Sequence, residues 1–416
     1  MPQNAASADA RYSDRIGFVV ELAEHLHGYG TTAQRLEGAI ESVSKRLGLE
    51  CEPWVNPTGM ILSFSDPTMP AGSSDTTRVI RVGLGDTDLY KLCEADRIAE
   101  RVMAGELDVG AGRAALSALA RPPSRRWRAM QVFGFGLASA AVAGLLRLPW
   151  LDIGTAGLIG LLLGVLDLAA QSRPRLQEAS DAVAGLVAGS VAILVASLLG
   201  PLNLNTVIIA SLIVLLPGMA LTNAMNELTS RHLVAGTARF AGAMTTILKL
   251  TVDTASALSV ARLIGLEPAV RGLRPQPEWV VWTALAIGAY AFAVLFRAHR
   301  RDYPLVMAAA AAGYAISRFG GEAFGAPAGV FLAALAMTAA GNLYARLCNR
   351  PGALVRLPGI IMLVPGSTAL RGVISLVQAQ DIGAGQDAAM AALNTLMALL
   401  AGLMFGNLLM PARRNL

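Results

Sequence analysis

From residue 129 onward the chain consists of long apolar runs separated by short polar punctuation. Stretches of roughly 20 apolar residues, the length that crosses a bilayer core, fall near 130–149, 152–171, 181–200, 203–226, 236–262, 279–297, 303–320, 326–346, 354–378 and 387–410. The first 120 residues follow another pattern. "FVVELAEHLHGYGTTAQRLEGAIESVSKRLGL" reads as two amphipathic helices separated at Gly28 and Gly30, with Thr31 and Gln34 at capping-box spacing. The extended runs "CEPWVNP", "GMILSFSD" and "TTRVIRVG" predict a small sheet, and helices follow near 87–104 and 108–119. The pattern predicts a polytopic α-helical membrane protein of about 10 transmembrane helices with an amino-terminal α+β soluble domain. It divides the chain into a disordered tail (1–11), a cytoplasmic α+β domain (12–120) and a basic linker (121–129). A first membrane half (130–265), a loop (266–278) and a second half (279–412) complete it.

Composition agrees with that division. The chain is 54% hydrophobic and 15% charged, against about 25% charged residues in ordinary soluble domains. Its mean hydropathy is +0.52. The arginines behind the net charge of +5 cluster beside apolar runs, and no basic face interleaved with aromatics appears, so nucleic acid is not a partner. Four arginines in "RPPSRRWR" precede the first span. Arg173 and Arg175, Arg231 and Arg239, "RAHRR", then Arg346, Arg350 and Arg356, and the final "ARR" mark every second connection after it. The positive-inside rule therefore puts both termini in the cytoplasm. Loop 266–278 is the exception, carrying Arg271 and Arg274 on the side that should be poor in them. Three scattered cysteines, with no CxxC spacing and no secretory leader, fit reduced cytoplasmic thiols.

Two of the spans are interrupted. "IVLLPGMALTNAMNEL" (213–228) and "IMLVPGSTALRGVISL" (361–376) each place Pro-Gly inside an apolar stretch, where a helix loses a donor and gains backbone freedom. Unsatisfied peptide groups cost several kcal/mol in lipid, so the breaks need protein or water around them. Ten spans divide into two sets of five, with Pro217-Gly218 and Pro365-Gly366 in the fourth span of each. An odd number per half inserts the halves in opposite directions, and matched breaks in inverted halves point to a transporter site. A packing kink is the plainer alternative.

Charged residues within spans are costly and usually have a purpose. "TTILKLTVDTAS" places Lys249 and Asp253 at i, i+4, close enough to pair on one helical face. They form either an internal salt bridge or a substrate or proton-coupling site. Arg371 could hold a carboxylate or snorkel to the interface. Asp152 and Asp167 sit near span ends and read as interfacial, and Glu227 with Arg231 reads as a closure of the inner end of span four. His25 and His27 point in different directions on a helix and have no metal-site companions in sequence. No GxxxxGK[ST] motif or nucleophile–base pairing appears, which disfavours a pump or hydrolase, and no cofactor is expected.

"GYGTTAQRLEGAIESVSKRLGL", "GMILSF" and "LCEADRIAERVMAGELDVGAGRAAL" resemble the amino-terminal domain of the threonine/serine exporter family. "LLPGMALTNAMNELTSRHLVAGTAR" and "LPGIIMLVPGSTALRGV" are similar to the signatures of its two membrane halves. The resemblance implies export of small amino acids driven by the proton motive force, across a bacterial-type cytoplasmic (inner) membrane. Split relatives are linked to dicarboxylate export, which gives the alternative substrate class; a membrane-anchored hydrolase is the alternative of another kind. The resemblance implies substrate-binding positions at Pro217, Gly218 and Asn223 in the first half, with Glu227 and Arg239 beside them. In the second half it implies Pro365, Gly366, Ser367, Thr368 and Arg371. Lys249 and Asp253, read from the residues themselves, join Glu227 as proton-coupling candidates. The expected partners are a small amino acid, protons and the lipid bilayer; the sequence leaves a homo-oligomer open.

Overall fold

The computed structural model describes residues 11–411 apart from 71, 73, 74, 273, 365 and 379–381. Pro365 and all of the expected tail except Arg11 lie outside the described residues. The soluble domain opens with α1 (Tyr12–Gly28) and α2 (Ala33–Arg46). An antiparallel sheet follows, of β1 (Glu50–Asn56), β2 (Gly59–Ser65) and β3 (Thr76–Arg81) in the order β1-β2-β3, with Val55 opposite Met60 and Leu62 opposite Arg78. Helices α3 (Leu89–Met103) and α4 (Val109–Leu119) complete it.

The two-residue period of β2 buries Met60, Leu62 and Phe64 with Phe18, Leu22, Leu36 and Ile40. Each such side chain contributes about 1.5–3 kcal/mol on full burial. Trp54 and Val79 stand on the opposite, open face. Asp88 and Asp108 cap α3 and α4 by accepting the N–H groups of Lys91 and Ala111. The expected capping box at Thr31 and Gln34 does not form. The N-cap of α2 is Thr32, whose side chain makes no cap hydrogen bond, and a distant carboxylate, Glu227, takes the Ala33 N–H at 3.2 Å.

His27 is buried in this domain, with Nε2 3.2 Å from the Asn56 carbonyl oxygen. Burial pulls its pKa below 6.5, outweighing the Asn56 contact and Glu227, while Arg239 works in the same direction as burial. The unfolded chain thus binds more protons, and the stability contributed by neutral His27 is complete above pH 6.5 and lost as pH falls through the depressed value. The melting midpoint of wild type is expected to fall below that pH, with a slope of at most about 1.4 kcal/mol per pH unit from this one proton. A folded His27→Gln protein should show a flatter profile; identical slopes would remove His27 as the cause.

Beyond residue 124 the chain is helical. The helices are α5 (Arg125–Leu145), α6 (Trp150–Ala170), α7 (Pro174–Leu198), α8 (Leu204–Ser211), α9 (Gly218–Thr229) and α10 (Leu233–Leu263). After them come α11 (Trp279–Leu295), α12 (Tyr303–Phe324), α13 (Ala326–Cys348), α14 (Ala353–Ile361), α15 (Gly366–Gln378) and α16 (Ile382–Leu409). Among the described residues, six stretches are long and apolar enough to cross a membrane: α5, α6, α7, α13, 353–374 and 383–409. The expected linker at 121–129 is shorter than its charge implied. Ser124 accepts the Trp127 N–H and starts α5, so Arg125, Arg126 and Arg128 ride on its first turns.

Connections gather at two ends of the helix bundle. At the end carrying the soluble domain, Leu89 and Tyr90 donate their N–H groups to the carbonyls of Phe296 and Arg297 at 2.9 and 3.1 Å. Glu37 meets His232 there at 2.8 Å. At the far end, the Arg147 side chain donates to the Gln276 carbonyl at 2.6 Å, and Leu202 N–H donates to Ala269 O at 3.0 Å. Arg271 meets Asp152 there at 3.4 Å. Asp152 also accepts the Asn203 N–H at 3.1 Å and is fully buried within the protein at that end. The odd positive charge of loop 266–278 thus has a structural reason: Arg271 neutralises a buried carboxylate at the start of α6.

Candidate functional site

Each expected break divides one apolar stretch into two helices. After Ser211 the chain turns through Leu212–Leu216, Gly218 N–H donates to Leu216 O at 2.8 Å, and α9 begins at Gly218 with Leu221 bonded back to Pro217 O. In the second half α14 ends at Ile361, Leu363 bonds back to Ile360 O at 2.8 Å, and α15 begins at Gly366. The two breaks touch. A Cβ on Gly366 would lie 3.3 Å from the Gly218 Cα, and one on Gly218 would lie 2.3 Å from Val364 Cγ1. Absent side chains therefore let the backbones meet, and the starts of α9 and α15, each with unbonded N–H groups and a positive dipole end, lie side by side.

These breaks form the floor of a cavity of about 530 Å³, which reaches Pro217, Gly218, Gly366 and Ser367. Its walls include Gln131 of α5, Asp167 of α6 and Asp181 of α7. Asp167 accepts hydrogen bonds from the Gln131 and Gln171 side chains at 3.4 and 2.9 Å. Asp181 accepts one from Thr246 at 3.3 Å and faces Lys249 Nζ at 3.9 Å. The mouth is formed by Gly85, Asp86 and Thr87 of the soluble domain together with Arg297. Arg297 is 3.4 Å from Asp88, whose carboxyl is pushed up by burial despite the opposing Lys91 N–H and Arg297.

Other candidates lie elsewhere. Asn223 lines a second, smaller cavity with Met219 and Thr222. Thr368 and the exposed Arg371 border neither cavity, nor do Asp253 and Glu227. The expected Lys249–Asp253 pair is replaced by Lys249–Asp181. Gly185 brings α7 so close to α10 that a Cβ there would lie 2.9 Å from Leu250 O and 3.1 Å from Asp253 Cβ. This contact puts Asp181, one turn earlier on α7, within reach of the lysine. The expected Glu227–Arg231 closure is corrected too. Arg231 adopts a left-handed φ of 67° after α9 and is exposed, whereas Arg239 donates to the fully buried Glu227 carboxylate at 2.9 and 3.0 Å.

Asp167, Asp181 and Gln131 were not singled out for the site by sequence. The signal was faint: Gln177, Ser180 and Asp181 recur at helical spacing on the first turns of α7, and all three line the cavity.

Two broken helices meet at a polar cavity within an apolar helix bundle. The sequence model of the threonine/serine exporter family matches residues 17–261, and a second model, "Threonine/Serine exporter, ThrE", matches residues 281–409. The chain belongs to the threonine/serine exporter family. It is 25% identical over 383 residues to pheromone-regulated membrane protein 10 of Debaryomyces hansenii, covering 86% of this chain and 37% of that protein. An uncharacterized protein of Schizosaccharomyces pombe is 24% identical over 381 residues, with coverage of 88% and 45%. The Candida albicans pheromone-regulated membrane protein 10 is 26% identical over 373 residues, with coverage of 85% and 32%. The chain spans less than half the length of these relatives. No solved structure matches it.

Proposed function

We propose that the protein is a secondary transporter that exports small amino acids of the threonine/serine type, driven by the proton motive force. In this reading it crosses the membrane ten times in two oppositely inserted five-span halves, with the soluble domain and both termini in the cytoplasm. The observation that carries the reading is the single cavity of about 530 Å³ bounded by both breaks. Helix starts at its floor favour a carboxylate, while Asp167 and Asp181 on its walls favour an ammonium group. A zwitterion satisfies both. A dicarboxylate would place a second negative charge among acidic walls, which disfavours the alternative substrate class. For a hydrolase in the soluble domain the groups are poorly suited. Burial pushes the Cys51 and Cys93 thiols up to about 11 and about 12, and His25 is engaged by Tyr29 at 3.1 Å.

Proton coupling is assigned to Asp181 with Lys249 as its ion-pair partner, because Asp181, and not Asp253 or Glu227, lines the cavity. Proteoliposomes containing the full chain should move labelled threonine or serine under an imposed pH gradient and should not move labelled succinate. Asp181→Asn is expected to reduce gradient-driven transport by at least about tenfold while retaining exchange of labelled for unlabelled substrate, whereas Asp253→Asn should retain both. Gradient-independent rates in wild type, or preference for succinate, would overturn the reading. Uncoupling by Asp253→Asn alone would return the coupling role to that residue.

A further inference from the structure

The smaller cavity, about 90 Å³, lies where the soluble domain meets both membrane halves. Thr31, Thr32 and Arg35 enter it from the start of α2, Thr222 and Asn223 from α9, and Arg356 from α14. Its lining contains two guanidinium groups and no carboxylate. Neither Arg35 nor Arg356 makes an ion pair among the described residues, unlike Arg239, Arg271, Arg297 and Arg350, each of which has a carboxylate within 3.4 Å. Burial pushes Arg35 down to about 10, as expected for a cation without a nearby counter-charge.

The hydroxyls repeat that imbalance. The Oγ1 atoms of Thr31, Thr32 and Thr222 are buried and have no hydrogen-bond partner among the described residues, and Thr222 is only 4% exposed. A buried polar group without a partner costs about 1–3 kcal/mol. Three such groups and two arginines without an ion pair surround one space that no carboxylate enters. The Glu227 carboxylate does not fill that role, since Arg239 and the Ala33 N–H already occupy it.

We propose that this cavity is a binding site for a phosphate-class oxyanion, held between Arg35 and Arg356 and hydrogen-bonded by the threonine hydroxyls. Two guanidinium groups match the charge of a dianion, and guanidinium donors suit phosphate oxygens. A tetrahedral oxyanion also accepts from donors on several sides, as threonines from two different elements require; a planar carboxylate uses fewer. The bound anion connects the soluble domain, the first half through Thr222 and the second half through Arg356. Its occupancy thus holds the docked arrangement together. The site adjoins the cavity at the breaks, sharing Thr87 and Met219 with it, and its existence does not depend on the transport reading.

The test uses the purified full chain in detergent, with inorganic phosphate as the probe and chloride at matched ionic strength as the control. Phosphate should raise the melting midpoint saturably, as a ligand that binds the folded state must; chloride should not. Arg35→Gln and Arg356→Gln should each weaken the apparent phosphate affinity at least tenfold, while Arg301→Gln, an exposed arginine outside the cavity, should leave it unchanged. Thr222→Val keeps the shape, removes one hydroxyl and should weaken phosphate several-fold, which provides a readout if an arginine variant fails to fold. No phosphate effect beyond that of chloride would overturn the proposal. So would an effect that survives both arginine substitutions and Thr222→Val. Equal stabilisation by acetate or succinate with the same arginine dependence would overturn the phosphate class.

Discussion

Transport by a reconstituted Gly218→Ala protein is expected to fall at least about tenfold below wild type, a change equivalent to roughly 1.4 kcal/mol. The added methyl group would sit 2.3 Å from Val364 Cγ1 and 3.3 Å from its Cβ. Valine is branched at Cβ and stiff about χ1, so it cannot swing a flexible end clear. The two breaks must separate instead, and overpacking of this kind costs about 1–3 kcal/mol. Both walls of the cavity floor shift as a result. Val364→Ala removes the colliding methyl, so the double variant Gly218→Ala/Val364→Ala should recover most of the lost rate. Initial rates of the single and double variants, compared at equal amounts of folded protein, test this directly. Wild-type transport by Gly218→Ala would mean that close contact between the breaks is not needed for function.

The second large effect is expected at Glu227. Its buried carboxylate accepts two hydrogen bonds from Arg239 and one from the Ala33 N–H, and so ties α9 and α10 to the start of a helix in the soluble domain. Glu227→Ala leaves a partly buried guanidinium and an orphan helix donor without an acceptor. Removing one partner of a buried pair typically costs about 3–5 kcal/mol. The melting midpoint should drop, and amide exchange at the start of α2 should accelerate. Glu227→Gln keeps an acceptor and should cost less. A proton-coupling role predicts something else for Glu227→Gln: loss of gradient-driven transport with retained substrate exchange and unchanged protection of α2. That outcome would place Glu227 in the transport chemistry instead of the domain junction.

The sequence made the elements readable wherever a local period set them. The extended run "GMILSFSD" gave β2, the amphipathic pattern gave α1 and α2, helices near 87–104 and 108–119 were expected where α3 and α4 stand, and Pro-Gly within apolar stretches located both breaks. Partnership was another matter. From spacing alone, Lys249 faces Asp253 one turn away and Glu227 faces Arg231 four residues on. The observed partners, Asp181 and Arg239, depend on how closely α7 approaches α10 and on the left-handed turn at Arg231, which are set by packing and not by separation along the chain. Asn223 shows the same limit. It lies five residues beyond Gly218, on the same helix, yet opens into the other cavity, since a helix turns successive residues to different sides. Arg271 is the converse case: a charge that looked misplaced in its loop is explained by a buried acid 119 positions away.

The backbone hydrogen bonds from Leu89 and Tyr90 to the carbonyls of Phe296 and Arg297 tie the soluble domain to residues that also wall the cavity at the breaks. Any rearrangement that closes this mouth and opens the opposite end must either carry the soluble domain along or break those bonds. In either case the two events share one free-energy cycle, and thermodynamic linkage makes the coupling reciprocal. On the proposed transport reading, a ligand of the exposed sheet face that prefers one of the two states changes the affinity for substrate by the same factor by which substrate changes its own. An antibody fragment that recognises that face in only one of the two states would then bias turnover without entering the cavity.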